Sequence, residues 1–339
     1  MSINWGELFP GRWSGIIFVS YMALFINQGI IVTWSQNGGD YKYNFVTVVL
    51  LTEIVKLIVS IVFYCRDNNA SLFFNELIKY RKIFLLYMVP SLLYCFYNNL
   101  SFVNLAAFDP TTYYLLLQFR VVITGIIFQV VFKRQLSSKQ WLSLVILTLG
   151  CMIKHLDFNV TSNNLLSNFP LNINLFYIFI QTICSCLAGV YNEYLLKGQG
   201  ADIDIFLQNI FMYIDSSFCN VFLLLVKGNL PKVFDDIGPS ILFQPKVLLI
   251  IINNAAIGII TSFFLKNLNS ILKTFASALE LVFTAILCWM IFGIPIYINT
   301  VLAIAMVSYA VILYSQNPVQ NVTSKTVKED KEELEELIV

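Results

Sequence analysis

The chain has 339 residues, of which 58% are hydrophobic and only 12% charged, about half the share usual in soluble domains. A water-soluble fold of this size could not hide that much apolar surface, so lipid is its natural solvent. A formal net charge of +1 leaves no basic surface to recruit nucleic acid, and a single histidine, His155, argues against metal hydrolysis by a histidine cluster.

Residues 1–12 lack a basic leader, and the apolar run from Trp13 to Gly39 is too long for a cleaved signal sequence. The first apolar segment is therefore expected to stay as an anchor. A spanning helix needs about 20 mostly apolar residues. Segments of this kind lie near 14–34, 45–65, 83–105, 110–132, 138–154, 172–196, 204–226, 246–266, 270–291 and 296–315. The expected fold is thus an all-α polytopic membrane protein with ten transmembrane helices in one domain over residues 1–315. Turn chemistry separates the segments, as at Asn37-Gly38-Gly39, Lys197-Gly198-Gln199-Gly200 and Gly293-Ile294-Pro295. Asp109 followed by Pro110 is a helix start, with an N-cap and then a proline at the first helical position. Residues 316–339 are polar, with mixed acidic and basic charge, and read as a solvated tail.

With the N-terminus in the cytosol, thirteen Lys and Arg residues flank the segments on that side and five on the other. The bias places both termini in the cytosol. The sequon Asn159-Val160-Thr161 then faces the lumen. Seven cysteines, most inside apolar segments, are not a disulfide framework. Cys184-Ser185-Cys186 has a spacing a metal could use, but small apolar residues on a membrane helix is the favoured reading.

An internal echo runs through the chain. Asn98-Asn99 precedes Arg120 by 21 residues from the second Asn, and Asn253-Asn254 precedes Lys273 by 19. The two halves, about 13–155 and 170–315, would each hold five helices. An odd number inverts the second half relative to the first, a plan common among secondary transporters with a midplane site.

Charges within such segments cost about 2.5–3.5 kcal/mol each on insertion scales and mark pathways or paired sites. Arg120 and Lys273 lie mid-helix in corresponding segments, and two cations facing one cavity suit a diphosphate. The alternative is that each pairs with a carboxylate. Glu53 and Lys56 share a helix face and read as a neutralising pair or part of a gate, and Glu193 is expected to pair with Lys197 at i+4. Glu280 lies two turns beyond Lys273 and is expected to orient or neutralise it. Asp215, alone among apolar and small residues, reads as a cavity-lining acceptor for sugar hydroxyls. No nucleophile–histidine–carboxylate set, P-loop or GxGxxG occurs, so the chain is not read as an enzyme and needs no cofactor or metal.

Several stretches resemble the UDP-galactose and CMP-sialic acid transporter family. They are Thr52-Glu53-Ile-Val-Lys56, Pro90-Ser-Leu-Leu-Tyr-Cys-Phe-Tyr-Asn-Asn-Leu-Ser-Phe, Tyr114-Leu-Leu-Leu-Gln118-Phe-Arg120, Ala188-Gly-Val-Tyr-Asn-Glu193-Tyr-Leu-Leu-Lys197, Gln208-Asn209-Ile-Phe-Met-Tyr213 and Leu272-Lys273-Thr-Phe-Ala-Ser277. The resemblance implies a drug/metabolite-transporter fold of two inverted five-helix repeats. It also implies a Golgi antiporter that imports nucleotide sugar and returns nucleoside monophosphate. The family's phosphate-binding cations fall on Arg120 and Lys273. Its nucleoside and sugar contacts fall on Tyr94, Asn99, Tyr114, Gln118, Asn209, Tyr213 and Ser277, with Asp215 beside the sugar end. The chain departs from the pattern in carrying Arg120 for a usual Lys, Gln208 for an Arg, Asp215 for a small residue, Ile257 for the first of two glycines, and an extra Glu280. The expected activity is exchange of UDP-galactose for UMP. Another cargo such as UDP-N-acetylglucosamine, a non-transporting adaptor role, and pairing of two copies stay open.

Overall fold

A computed structural model of the chain describes residues 13–36, 41, 43–68, 73–131, 134–135, 137–154, 173–226, 244–268, 270–315 and 320–321. The sequon and most of the polar tail lie outside these residues. Helices take up the apolar segments in order: α1 Ser14–Ser35, α2 Phe45–Asp67, a short α3 Phe73–Lys79, α4 Arg81–Ala107, α5 Pro110–Leu117, α6 Phe119–Val131, α7 Ser138–Lys154, α8 Ile173–Tyr194, α9 Ile205–Val226, α10 Pro245–Asn267, α11 Ser270–Phe292 and α12 Ile298–Ser315. Among the described residues, six helices are long and apolar enough to cross a membrane, with shorter apolar stretches at Val282–Phe292 and Ile298–Ala310.

The surface is inside-out relative to a soluble protein. Leu85, Phe176, Phe218, Phe222 and Trp289 are exposed, while Ser60, Ser91, Asn104, Gln181, Asn192 and Asn220 are almost fully buried. Apolar side chains meet lipid without cost, and the polar ones need partners inside the bundle.

Two segments differ from a plain helix reading. The fourth apolar run is broken at Gln118 into α5 and α6, where the Gln118 N–H bonds the Leu115 and Leu116 carbonyls in a tightened turn. No glycine or proline marks that break, so nothing in the local sequence announces it. The α8 segment runs on into a π-helical turn, Leu195–Gln199, before the glycine at 200. The Asp109 carboxylate does cap α5, accepting from the Thr112 N–H at 3.1 Å with Pro110 next to it. The helix α3 was not legible as an apolar segment. Gln320–Asn321 of the tail pairs antiparallel with Arg134–Gln135.

Packing brings distant parts of the sequence together. α4 and α9 lie side by side and parallel: the Tyr87 hydroxyl bonds Gln208 Oε1, Ser91 Oγ bonds the Met212 carbonyl, and Asn99 Nδ2 bonds Asn220 Oδ1, each pair 121 residues apart. A constant offset is the signature of two helices running the same way in register. α1 and α10 are antiparallel, tied by Asn253 Nδ2 to the Leu24 carbonyl and by Lys246 Nζ to the Trp34 carbonyl. Other neighbours are α2 with α9 and α10, α4 with α8, α6 with α8, α11 with α1 and α5, and α7 with α12.

Hydrogen bonds tie the helices together at both ends of the bundle. Where α1 finishes, Gln36 Nε2 donates to the Leu105 carbonyl at 3.0 Å and the Tyr41 hydroxyl to the Phe102 carbonyl at 2.7 Å. A cluster including Val32, Val48, Phe102, Leu105, Ile250 and Ile251 packs there. At the opposite end Lys197 Nζ bonds the Leu268 carbonyl at 2.7 Å and Glu193 at 2.8 Å. The Glu193–Lys197 pair is thus the i,i+4 contact expected of it, and its ammonium also neutralises a carbonyl just past the end of α10.

Candidate functional site

Between these two ties lies a partly open cavity, with about 860 Å³ of empty space when the adjoining open space is counted. Its walls come from both halves of the chain. α1 contributes Tyr21, Phe25 and Gln28, α2 contributes Val49, Thr52, Glu53 and Lys56, and α4 contributes Tyr94, Tyr97, Asn98, Ser101 and Phe102. Arg120 enters from α6, Ser185 and Asn192 from α8, and Met212, Tyr213 and Ser216 from α9. Asn254, Ile257, Gly258, Thr261 and Ser262 close the remaining wall from α10.

The charges are arranged in pairs. Lys56 Nζ lies 2.6 Å from Glu53 Oε1, an ion pair one turn long on α2. The same carboxylate oxygen accepts from Asn98 Nδ2 at 3.3 Å. The Lys56 ammonium also sits over the Tyr213 ring, 4.5 Å from its centroid, a cation–π contact that links α2 to α9. Its aliphatic stem needs the bare backbone of Gly258, where a Cβ would stand 2.4 Å from Lys56 Cδ. Gly258 thus allows α10 to approach α2 closely, and Ile257, the residue before it, faces the cavity.

Arg120 sits just past the α5–α6 break. Its Nη2 meets Glu280 Oε2 at 3.4 Å, with the two side chains 9% and 1% exposed. Glu280 was expected to orient or neutralise Lys273, whose side chain lies outside the described residues; the contact described for Glu280 is to Arg120. The Arg120 backbone carbonyl accepts from Cys186 Sγ at 3.4 Å, and the same sulfur takes a hydrogen bond from Thr124. Cys186 thus acts as a polar contact between α6 and α8.

Several buried polar atoms around the cavity have no hydrogen-bond partner among the described residues: Glu53 Oε2, Arg120 Nε, Ser216 Oγ and Asn254 Oδ1. Buried groups of this kind are normally satisfied, and leaving one unmade costs about 1–3 kcal/mol. Donors and acceptors converging on one cavity from four helices are what a polar, charged ligand requires.

The site residues expected from the sequence divide. Glu53, Lys56, Tyr94, Arg120 and Tyr213 line the cavity. Asn99 does not: its amide is held by the Cys95 carbonyl and Asn220, and its neighbour Asn98 is the one that lines the cavity. Tyr114 lies against the backbone of Gly29 and donates to the Phe25 carbonyl at 2.6 Å, so it locks α5 onto α1. Gln118 is buried and bonds the Tyr114 carbonyl. Asn209 and Asp215 are buried off the lining, each with one polar atom lacking a partner among the described residues. Lys273 and Ser277 fall on α11, and their side chains lie outside the described part of the structure. Gln208 fastens the turn before α9 through the Gly200 and Ile203 carbonyls. Gln28, Ser185, Asn192, Asn254 and Ser262 were missed by sequence reasoning. The signal that could have found them is the same for all five: a polar side chain inside an otherwise apolar helix.

A family model described as nucleotide-sugar transporter matches residues 16–315, nearly the whole helical bundle. The UDP-galactose transporter senju of Drosophila melanogaster is 56% identical over 352 residues, covering 95% of this chain and 91% of its own length. CMP-sialic acid transporter 1 of Oryza sativa subsp. japonica is 29% identical over 296 residues, covering 85% of this chain and 89% of its own. One solved crystal structure superposes with a TM-score of 0.58 at 10% identity, over 89% of this chain and 96% of that one, a likeness of fold alone. Motifs, cavity and relatives agree: the chain belongs to the nucleotide-sugar transporter family.

Proposed function

We propose that this chain is a Golgi nucleotide-sugar antiporter that imports UDP-galactose in exchange for UMP by alternating access. The observation that carries the reading is the charged cavity lined from both halves of the chain, with Arg120 on its wall and unmatched polar atoms around it. Arg120 and Lys273 hold the phosphates, and Tyr94, Asn98 and Tyr213 contact the rest of the ligand. The UDP-galactose preference rests on the 56% identical relative.

The contacts between helices support ten spans in two inverted halves. Take α1, α2, α4, α5–α6 and α7 as one half and α8 to α12 as the other. Exchanging the halves turns the α4–α8 contact into α10–α1, α4–α9 into α10–α2, and α6–α8 into α11–α1. The contacts α2–α9, α7–α12 and α5–α11 map onto themselves. The end ties obey the same exchange. Gln36, just after α1, reaches the end of α4, as Lys197, just after α8, reaches the end of α10. Alternating access then consists of breaking one tie while the other holds. Ligand drives the switch only through different affinity for the two states. Both termini lie in the cytosol on this reading, with the Lys197 tie on the cytosolic side.

The test is counterflow in proteoliposomes loaded with UMP, CMP or GMP and offered labelled UDP-galactose, UDP-N-acetylglucosamine and CMP-sialic acid. UMP-loaded vesicles should take up UDP-galactose, and Lys273→Ala or Arg120→Ala should lower exchange at least about a hundredfold, as loss of a charge-assisted phosphate contact of about 3 kcal/mol implies. Preferred uptake of UDP-N-acetylglucosamine would reassign the cargo. Wild-type exchange by both variants would overturn the phosphate site, and absence of exchange by the unmutated chain would leave an adaptor role in its place.

A further inference from the structure

Arg120 and Glu280 meet from helices 160 residues apart, one in each half of the molecule. Arg120 lines the cavity, and Glu280 is fully buried and does not. One edge of the guanidinium is therefore held from α11 through Nη2, while Nε has no hydrogen-bond partner among the described residues. The 3.4 Å contact is long for a charge-assisted bond, which usually closes to about 2.7–2.9 Å. A carboxylate and a phosphate compete for the same guanidinium fork, because both offer two oxygens at matching spacing. A guanidinium buried without either is strongly disfavoured.

From this geometry we infer that Glu280 is a positioning residue for transport: it stands in for the ligand's phosphate when the carrier is empty. It neutralises Arg120 and keeps it aimed at the cavity. An arriving phosphate takes over the fork and loosens the Glu280 contact. The swap keeps the Arg120 guanidinium paired, since one anion replaces another at the same cation. It has two consequences. Ligand must displace Glu280, so the carboxylate weakens apparent affinity. The empty carrier keeps its cation paired, so it can still pass through the closed state and return unloaded. The inference rests on the reading of Arg120 as a phosphate contact.

The experiment uses the full chain in proteoliposomes with UMP as the probe. It measures the KM for UMP in exchange, and the ratio of exchange to net efflux into nucleotide-free buffer. Glu280→Gln should lower the KM for UMP about tenfold, the worth of one charge-assisted contact, and raise the exchange-to-net ratio by a similar factor. Glu280→Asp, which draws the carboxylate back by one methylene, should give about a threefold fall in KM. It should show the same trend in UMP-induced thermal stabilisation even if the glutamine variant does not fold. A raised or unchanged KM, or equal loss of exchange and net flux, makes Glu280 a packing residue and overturns the inference. Arg120→Gln separates the two readings. If it exchanges normally, the phosphate site itself is wrong. If it is inactive while the Glu280 variants leave KM and ratio untouched, only the counterion role fails.

Discussion

Glu53 and Lys56 form their ion pair within one helix, three residues apart, whereas Arg120 and Glu280 form theirs between helices from opposite halves. The first pair is self-contained. α2 can tilt, and its carboxylate and ammonium travel together, further held by Asn98 and the Tyr213 ring. The second pair joins α6 to α11, so any movement of one of these helices against the other stretches it. One pair thus suits a permanent wall of the cavity, and the other suits a contact that changes during a cycle.

The largest effect expected from this comparison is on the internal pair. Removing one member leaves the other as an uncompensated buried charge, at a cost of about 3–5 kcal/mol, while removing both is often neutral. Lys56→Met and Glu53→Gln alone should each lower the melting temperature in detergent substantially, and the double variant should recover most of the loss. If the double variant melts as low as the singles, the pair is not self-contained and the contrast with Arg120–Glu280 collapses.

A smaller effect is expected at the backbone that receives Lys56. Gly258→Ala puts a methyl group where the Lys56 stem runs, and crowding of this kind costs about 1–3 kcal/mol. The lysine must shift off Glu53 or α10 must move away from α2. Melting should fall, and uptake should fall with it, because α10 also supplies Asn254 and Ser262 to the cavity. Unchanged melting and uptake would show that Lys56 has room to move, and that the pair is looser than its 2.6 Å contact implies.

The same contrast explains what the sequence could and could not reveal. The apolar segments were legible because lipid imposes length and composition on a span. The Glu53–Lys56 pair was legible because helical geometry places i and i+3 on one face. The partner of Arg120 was not, since no local periodicity records which helix of the other half lies opposite. The break at Gln118 was hidden for a related reason: tertiary packing makes it, with no glycine or proline to announce it. Asn98 and Asn99 show the limit most plainly. Both are polar residues on one helix, about 100° apart around its axis, and only the placement of α9 decides that Asn99 goes to Asn220 and Asn98 to the cavity.

Asp215 gives the smallest expected effect and tests a different boundary. Its acceptors and its place in the sequence suggested a contact to the sugar, yet it lies off the cavity lining with Oδ2 buried and without a hydrogen-bond partner among the described residues. A carboxyl group in that position destabilises the fold more than it serves a ligand, by about 1–3 kcal/mol if unmatched. Asp215→Ser should therefore hold or slightly raise the melting temperature and leave the choice among UDP-sugars unchanged, read by competition in counterflow. A shift in sugar preference larger than any change in the KM for UMP would return Asp215 to the binding site. It would mean that α9 turns during the cycle, carrying Asp215 toward the face that Tyr213 and Ser216 now present. Asp215 would then join Arg120 among the groups whose surroundings change with the state of the carrier, and leave Glu53 and Lys56 as the fixed wall.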